Sequence, residues 1–325
     1  MITSCNYAPP GEYIKDHSLM YHDGWWHLFS ISGTAGYCHL YNGNEETISW
    51  SISRNLVDWD FRGHVLHASL RRGEFDQHEV WAPFCIKSDG RFYMFYTGIV
   101  HPVRPMCYKK LGHNHPNVVW DGHRETIGLA MSEDLTCWEK IADRQAGINI
   151  PGRDPHVVRD TANNRWLLYS TGGVTNGMCE ELVSQSHDLI NWEFIGVAAR
   201  FPQLGLAYST TESMYVMQHP GFYKNSTTVH NTHQNYSNNP ISKQWIMMGN
   251  WHYALSDNPT DFTQSEVRQY VDGDMQNWSP TLGFAGEIIE WQGKWYRSGV
   301  VGEIDHWKLG FKEIVWEKDG AFRVV

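Results

Sequence analysis

The sequence predicts an all-β fold, a five-bladed β-propeller formed as one domain from residues 1–325. Three observations lead there. A tight turn followed by an aromatic-rich strand recurs five times, a second motif recurs behind it, and almost no stretch carries sustained helical periodicity, which removes α/β barrels from contention.

The first unit reads Asp23-Gly24-Trp25-Trp26-His27-Leu28-Phe29, then Asp89-Gly90-Arg91-Phe92-Tyr93-Met94-Phe95, Asn163-Asn164-Arg165-Trp166-Leu167-Leu168-Tyr169 and Gln292-Gly293-Lys294-Trp295-Tyr296, with a weaker copy at Ser242-Lys243-Gln244-Trp245-Ile246-Met247. Asp-Gly and Asn-Asn suit the positive φ angles of a two-residue hairpin turn, so each copy predicts the first hairpin of a small antiparallel sheet. The second unit, S-x-[ND]-L-x-x-W, stands at Ser53–Trp59, Ser132–Trp138 and Ser186–Trp192, with a degenerate copy at Ser256–Phe262. Counted between Trp26, Phe92, Trp166, Trp245 and Trp295, the copies are 66, 74, 79 and 50 residues apart, room for about four strands each. The last blade is expected to end in strands around Leu309–Trp316 and Ala321–Val325. The largest loop insertions fall at residues 99–125 and 218–241.

Composition narrows the function classes. A net charge of −10, with no dense Lys/Arg cluster, sets the chain against nucleic acid and anionic lipid, and no apolar run approaches the roughly 20 residues of a membrane span. Sixteen Trp and sixteen Tyr exceed what a core of this size requires; repeat signatures account for most, and flat faces for stacking on sugar rings for the remainder. Met1–Asp16 has no basic segment followed by an apolar stretch, and the six cysteines show no C-x-x-C pair, so a cytoplasmic location is expected.

The chemistry-bearing pattern lies just upstream of the hairpins. In a propeller the first strand of each blade lines the central channel, and acids stand there repeatedly: Asp16 in Ile14–Ser18, Glu79 before Trp81-Ala82-Pro83, Asp154 in Gly152–His156, Glu212 in Thr211–Ser213, and Glu287 in Gly286–Ile288. A carboxylate in an apolar strand is costly unless paired, hydrogen-bonded or used. Any one of them alone is as readily a structural turn residue. As a set beginning successive blades, they fit glycoside cleavage, which needs a proton donor of raised pKa and a second carboxylate that activates water or attacks the sugar.

With these residues in view, the sequence resembles the five-bladed propeller glycoside hydrolases, the group holding family 43 (arabinofuranosidases, arabinanases, xylosidases) and families 32 and 68 (invertases, fructanases, levansucrases). Asp16 matches the blade-one acid of the group, Asp154 in Arg153-Asp154-Pro155 the blade-three acid, Glu212 in Thr-Glu-Ser the blade-four proton donor, and Trp81-Ala82-Pro83 the blade-two signature of family 43. His17 stands where the group usually has Pro, and the Asn-Asp-Pro-Asn segment typical of family 32 is absent. The resemblance implies catalytic Asp16, Asp154 and Glu212: for an inverting arabinofuranosidase or xylosidase, Asp16 as general base, Glu212 as general acid and Asp154 as the modulator of Glu212; for a retaining β-fructofuranosidase, Asp16 as nucleophile. It also implies an oligosaccharide or glycoside substrate, no required cofactor, and a single Ca²⁺ in the central channel, held largely by water.

Candidate substrate-binding residues are Trp81 as a stacking platform, Arg153 and His156 beside the middle acid, and His17 and Glu287 at the channel. His230-Asn231-Thr232-His233, with His219 upstream, has a spacing that can ligate; no cysteine or clustered acid accompanies it, so no metal site is assigned. Three other readings compete. A non-catalytic carbohydrate-binding propeller would show a displaced acid, a protein-interaction scaffold leaves the inward acids unexplained, and a glycoside phosphorylase needs a cationic phosphate site, for which Arg104, Lys109 and Lys110 are the candidates.

Overall fold

A computed structural model describes residues 6–37, 39, 44–101, 123–203, 212–220, 244–269, 273–274, 279–280, 284–317 and 320–325. Among these there is no α-helix, and the strands form five four-stranded antiparallel sheets in chain order. Blade one is β1 (Glu12–His22), β2 (Trp25–Thr34), β3 (Thr47–Ser53) and β4 (Trp59–His67); blade two is β5 (Glu79–Ser88), β6 (Arg91–Val100), β7 (Arg124–Ser132) and β8 (Glu139–Lys140). Blade three holds β9 (Arg153–Asp160), β10 (Arg165–Thr175), β11 (Met178–Ser186) and β12 (Glu193–Pro202); blade four holds β13 (Tyr215–Gln218), β14 (Trp245–Met248), β15 (His252–Ser256) and β16 (Arg268–Gln269). A small ribbon, β17 (Gly273–Asp274) with β18 (Ser279–Pro280), precedes blade five: β19 (Ile288–Trp291), β20 (Lys294–Val301), β21 (Lys308–Trp316) and β22 (Phe322–Val324).

The first repeat unit is the turn joining the first strand of a blade to its second. Asp23 and Gly24 have φ of 49° and 80°, Asp89 and Gly90 48° and 78°, Gln292 and Gly293 51° and 76°, the doubly left-handed geometry that matches strand twist in a two-residue hairpin. The S-x-[ND]-L-x-x-W unit joins the third strand to the fourth. Ser186 Oγ accepts the amides of Asp188 and Leu189, Asp188 Oδ1 accepts those of Ile190 and Asn191, and Trp192 Nε1 donates to the Leu189 carbonyl at 2.9 Å. The same bonds recur around Ser53 and Ser132. Each loop thereby satisfies its own backbone while driving Leu56, Leu135 or Leu189 into the space between blades.

Among the described residues, hydrophobic clusters fill all five blade boundaries. Phe29, Ile31 and Ile48 meet Val80, Phe92 and Met94 between blades one and two, Phe95 and Leu129 meet Val157 and Leu168 between two and three, and Leu167 and Val183 meet Val216 and Met247 between three and four. Ile246 and Met248 meet Ile288 and Ile314 between four and five, and Ile289, Tyr296 and Leu309 meet Ile14, Trp26 and Leu28 to close the ring. The N-terminal segment reinforces closure, since Tyr7 and Leu309 exchange both backbone hydrogen bonds, at 3.2 and 2.8 Å. Cys85, Cys137 and Cys179 are free thiols.

Candidate active site

Three blades break their first ladder where they meet the channel. β1 has a register shift between Lys15 and His17 that leaves Asp16 as the extra residue, β5 has one between Trp81 and Phe84, and β9 has one around Asp154. Ala82, Asp154, Ser213 and Ala285 all have positive φ, 44°, 54°, 55° and 50°, so four of five blades turn a non-glycine residue left-handed at this level. Such bulges re-aim side chains that a regular pleat would send into a neighbouring blade. Gly152 just before the blade-three bulge, at φ +95°, has no room for a side chain, because a Cβ would sit 2.5 Å from Ser170 Oγ.

The bulges surround one cavity of about 330 Å³, counting the space open at its mouth, to which each blade contributes: Asp16 and His17, Ala82–Phe84, Asp154–His156, Ser213–Tyr215, and Ala285–Glu287. Two expected positions differ. Asp16 and Asp154 lie on the first strands, whereas Glu212 lies ahead of β13, separated from it by left-handed Ser213 and outside the cavity lining, and Glu287 immediately precedes β19.

The three acids are linked through two intermediaries. Ser213 Oγ donates to Asp16 Oδ1 at 2.9 Å, and its amide reaches Asp154 Oδ2 at 3.3 Å. Arg153 places Nη2 2.7 Å from Glu212 Oε1, Nε 3.3 Å from Asp154 Oδ2 and Nη1 3.3 Å from Glu125 Oε2. The Asp154 amide donates to Thr97 Oγ1 of blade two at 2.9 Å, fixing the bulge. Burial pushes the Asp154 carboxyl up to about 8, the nearby Asp16 and Glu212 adding to the rise while Arg153 opposes it. Glu212 is raised as well, first by burial and then by Asp16, against the pull of Arg153 and Lys15.

The expected binding residues divide. His156 sits between Phe84 and Tyr215, ring centroids 4.3 and 4.5 Å away, with Nε2 donating to the Val216 carbonyl at 2.7 Å. Burial lowers its pKa to about 4, so it faces the cavity as a neutral, fixed ring. His17 is likewise neutral, lowered to about 3 by burial and by Arg297, with Nε2 2.8 Å from Ser298 Oγ. Glu287 Oε2 accepts the Leu19 amide at 2.8 Å, and burial lifts its carboxyl to about 8. Trp81 lies outside the cavity wall: the Lys15 ammonium stands 5.0 Å over its ring and His123 meets its edge at 5.6 Å.

Several site residues carried no sequence signal. Glu45, fully buried in the β2–β3 connection, accepts hydrogen bonds from Tyr13 Oη at 2.9 Å and Lys15 Nζ at 3.1 Å. Glu125, near the start of β7, reaches Arg153 across a blade boundary. Spacing along the chain cannot announce partners that only the blade packing joins.

His219 is buried against Trp316, ring centroids 4.6 Å apart, away from the cavity; His230, His233, Arg104, Lys109 and Lys110 lie outside the described residues. Among the described residues no group of three or more His, Cys, Asp or Glu side chains is arranged to hold a metal ion. The buried Nδ1 of His17, which has no hydrogen-bond partner, offers a channel cation one nitrogen, whereas Ca²⁺ takes six to eight oxygens. Among the described residues no such oxygen cage is arranged, so an ion there would have to be held largely by water.

Known glycosidases resemble this chain in sequence and in fold. A levanase of Bacillus sp. (strain L7) is 27% identical over 181 residues, 52% of this chain and 17% of the levanase. The insoluble β-fructofuranosidase isoenzyme 2 of Oryza sativa subsp. indica is 27% identical over 203 residues, 58% of this chain and 30% of that protein. The chain thus spans less than a third of the length of these curated relatives. Among solved structures, the GH43_1 enzyme from Xanthomonas citri complexed with xylotriose superposes with a TM-score of 0.67 at 15% identity, covering 100% of this chain and 93% of that one. A GH32 β-fructofuranosidase of Bombyx mori gives 0.63 at 16% identity, covering 98% and 64%. These two likenesses concern the fold. The model of glycosyl hydrolases family 43 matches residues 28–245, most of the chain and three of its five channel acids, Glu79, Asp154 and Glu212, and the chain belongs to that family.

Proposed function

We propose that the protein hydrolyses furanoside or xyloside linkages, as an α-L-arabinofuranosidase or β-xylosidase, with inversion at the anomeric carbon. The observation that carries this is the meeting of acids from three blades: Asp16 and Asp154 line the cavity, and Glu212 stands beside it, tied to Asp154 through Arg153, while Ser213 links Asp154 to Asp16. In this reading Glu212 gives its proton to the leaving oxygen as the glycosidic C–O bond breaks, and Asp16 takes a proton from the attacking water. Asp154 keeps Glu212 protonated, since adjacent carboxyls in a buried site resist full ionisation. The family match and a xylotriose-binding structural neighbour support the sugar class.

A second reading has specific support: the levanase and β-fructofuranosidase relatives favour a retaining fructosidase with Asp16 as nucleophile, and Arg153-Asp154-Pro155 suits either branch. The test is turnover of aryl α-L-arabinofuranoside, aryl β-D-xyloside, sucrose and inulin by the wild type and Glu212→Gln. Removing the proton donor should cost on the order of 10²-fold or more on substrates with poor leaving groups. Undiminished turnover by the variant would assign the acid elsewhere, and cleavage confined to sucrose or inulin would select the second reading.

A further inference from the structure

Arg153 is the only described side chain that touches three carboxylates at this site, and one of the three has no part in the reaction described above. Glu125 arrives from the third strand of blade two, with Oε2 3.3 Å from Arg153 Nη1 and Oε1 accepting from His123 Nε2 at 3.0 Å. It is a quarter exposed, and its pKa is lowered by the His123 hydrogen bond and by Arg153. The guanidinium is rigid, and its fork serves Glu125 on one nitrogen and Glu212 on the other.

That division matters because an arginine favours the ionised form of whatever carboxyl it holds, and a proton donor must be held in the neutral form. The groups facing Glu212 are Arg153 and Asp154 from β9 and Lys15 and Asp16 from β1, with Glu125 and His123 of blade two acting through the guanidinium. We propose that Glu125 is a positioning residue for the proton donor: by sharing Arg153, it limits the cation's hold on Glu212 and so keeps the donor loaded. The inference rests on Glu212 being the acid. As the proton passes to the leaving oxygen, Glu212 becomes a carboxylate and Arg153 is already in place to receive it.

The sign follows from charge. In Glu125→Gln the whole guanidinium charge falls on Glu212 and Asp154, so Glu212 ionises at lower pH and the basic limb of the kcat/KM profile moves down. At pH 7, turnover of an alkyl glycoside should drop about tenfold, part of the 10²–10⁴ that a general acid supplies, while a nitrophenyl glycoside loses less than about twofold. Glu125→Asp, which keeps the charge on a shorter stem, should place the limb between wild type and Glu125→Gln. Where Glu125→Gln yields no folded protein, Glu125→Asp alone reads the shift. Equal losses on both leaving groups, or a limb that stays in place, would overturn the role as one of mere structural support. Glu212→Gln is assayed alongside. If it spares the alkyl glycoside, the acid assignment falls and this inference with it; if it shows the leaving-group split and the Glu125 variants do not, only the inference falls.

Discussion

Glu287 reaches the channel from the residue before β19, where one oxygen accepts the Leu19 amide and the carboxyl is held at about 8 by burial. Below the ordinary carboxylate range both the folded and the unfolded chain keep this proton; between there and about pH 8 only the folded chain does. The stability contributed by proton retention is therefore present at the acid end of that window and lost as pH rises through it. Glu287→Gln, neutral at every pH, should lose less thermal stability than wild type between pH 5 and 8, so that the difference in Tm between variant and wild type grows in the variant's favour toward pH 8. A constant difference across that range would show that Glu287 is ionised throughout. At this scale the sequence exposed Asp16, Asp154, Glu212 and Glu287, because an acid embedded in an apolar strand is visible as an anomaly. Lys15, Glu45, Glu125 and Ser213 were invisible for the opposite reason: each is an ordinary polar residue until the blades bring its partner to it.

Between the third and fourth strands of the first three blades, one motif builds one loop, and its central leucine carries the packing load. Leu56, Leu135 and Leu189 have φ of 63°, 68° and 67° and are 0%, 3% and 2% exposed, each in a different inter-blade cluster. Truncation to alanine at any of the three should cost about 2–5 kcal/mol, the range for a buried leucine that leaves a cavity. Thermal melts of the three variants should show drops of similar size; a negligible drop at one of them would mean that its blade boundary relaxes around the gap. These loops, like the Asp-Gly hairpins, stood out in the sequence as repeats because all of their hydrogen bonds lie within seven residues. The strand ends at the channel did not. Ser213 is unremarkable in sequence, yet its left-handed backbone ends the extended segment and leaves Glu212 outside the strand expected to carry it.

For the molecule as a whole, the propeller follows from stacking: each sheet has two apolar faces, five sheets give five boundaries, and the cluster joining β19–β21 to β1 and β2 closes the circle. Closure is what brings residues almost 200 positions apart into contact, as in the 2.9 Å bond from Ser213 to Asp16. Architecture was readable because repetition is a local property copied along the chain. The sugar was not, because specificity belongs to loops on the rigid ring, and those carry no repeat. The central claim is that this ring holds a general base and a general acid on either side of a water, which carboxyls about 6.5–9.5 Å apart allow and a nucleophilic pair about 5–5.5 Å apart does not. Proton NMR of the first-formed sugar, recorded before mutarotation on an arabinofuranoside or xyloside that the protein cleaves, tests it most directly. The account predicts the anomer opposite in configuration to the substrate; initial release with the configuration retained would contradict it and make Asp16 a nucleophile.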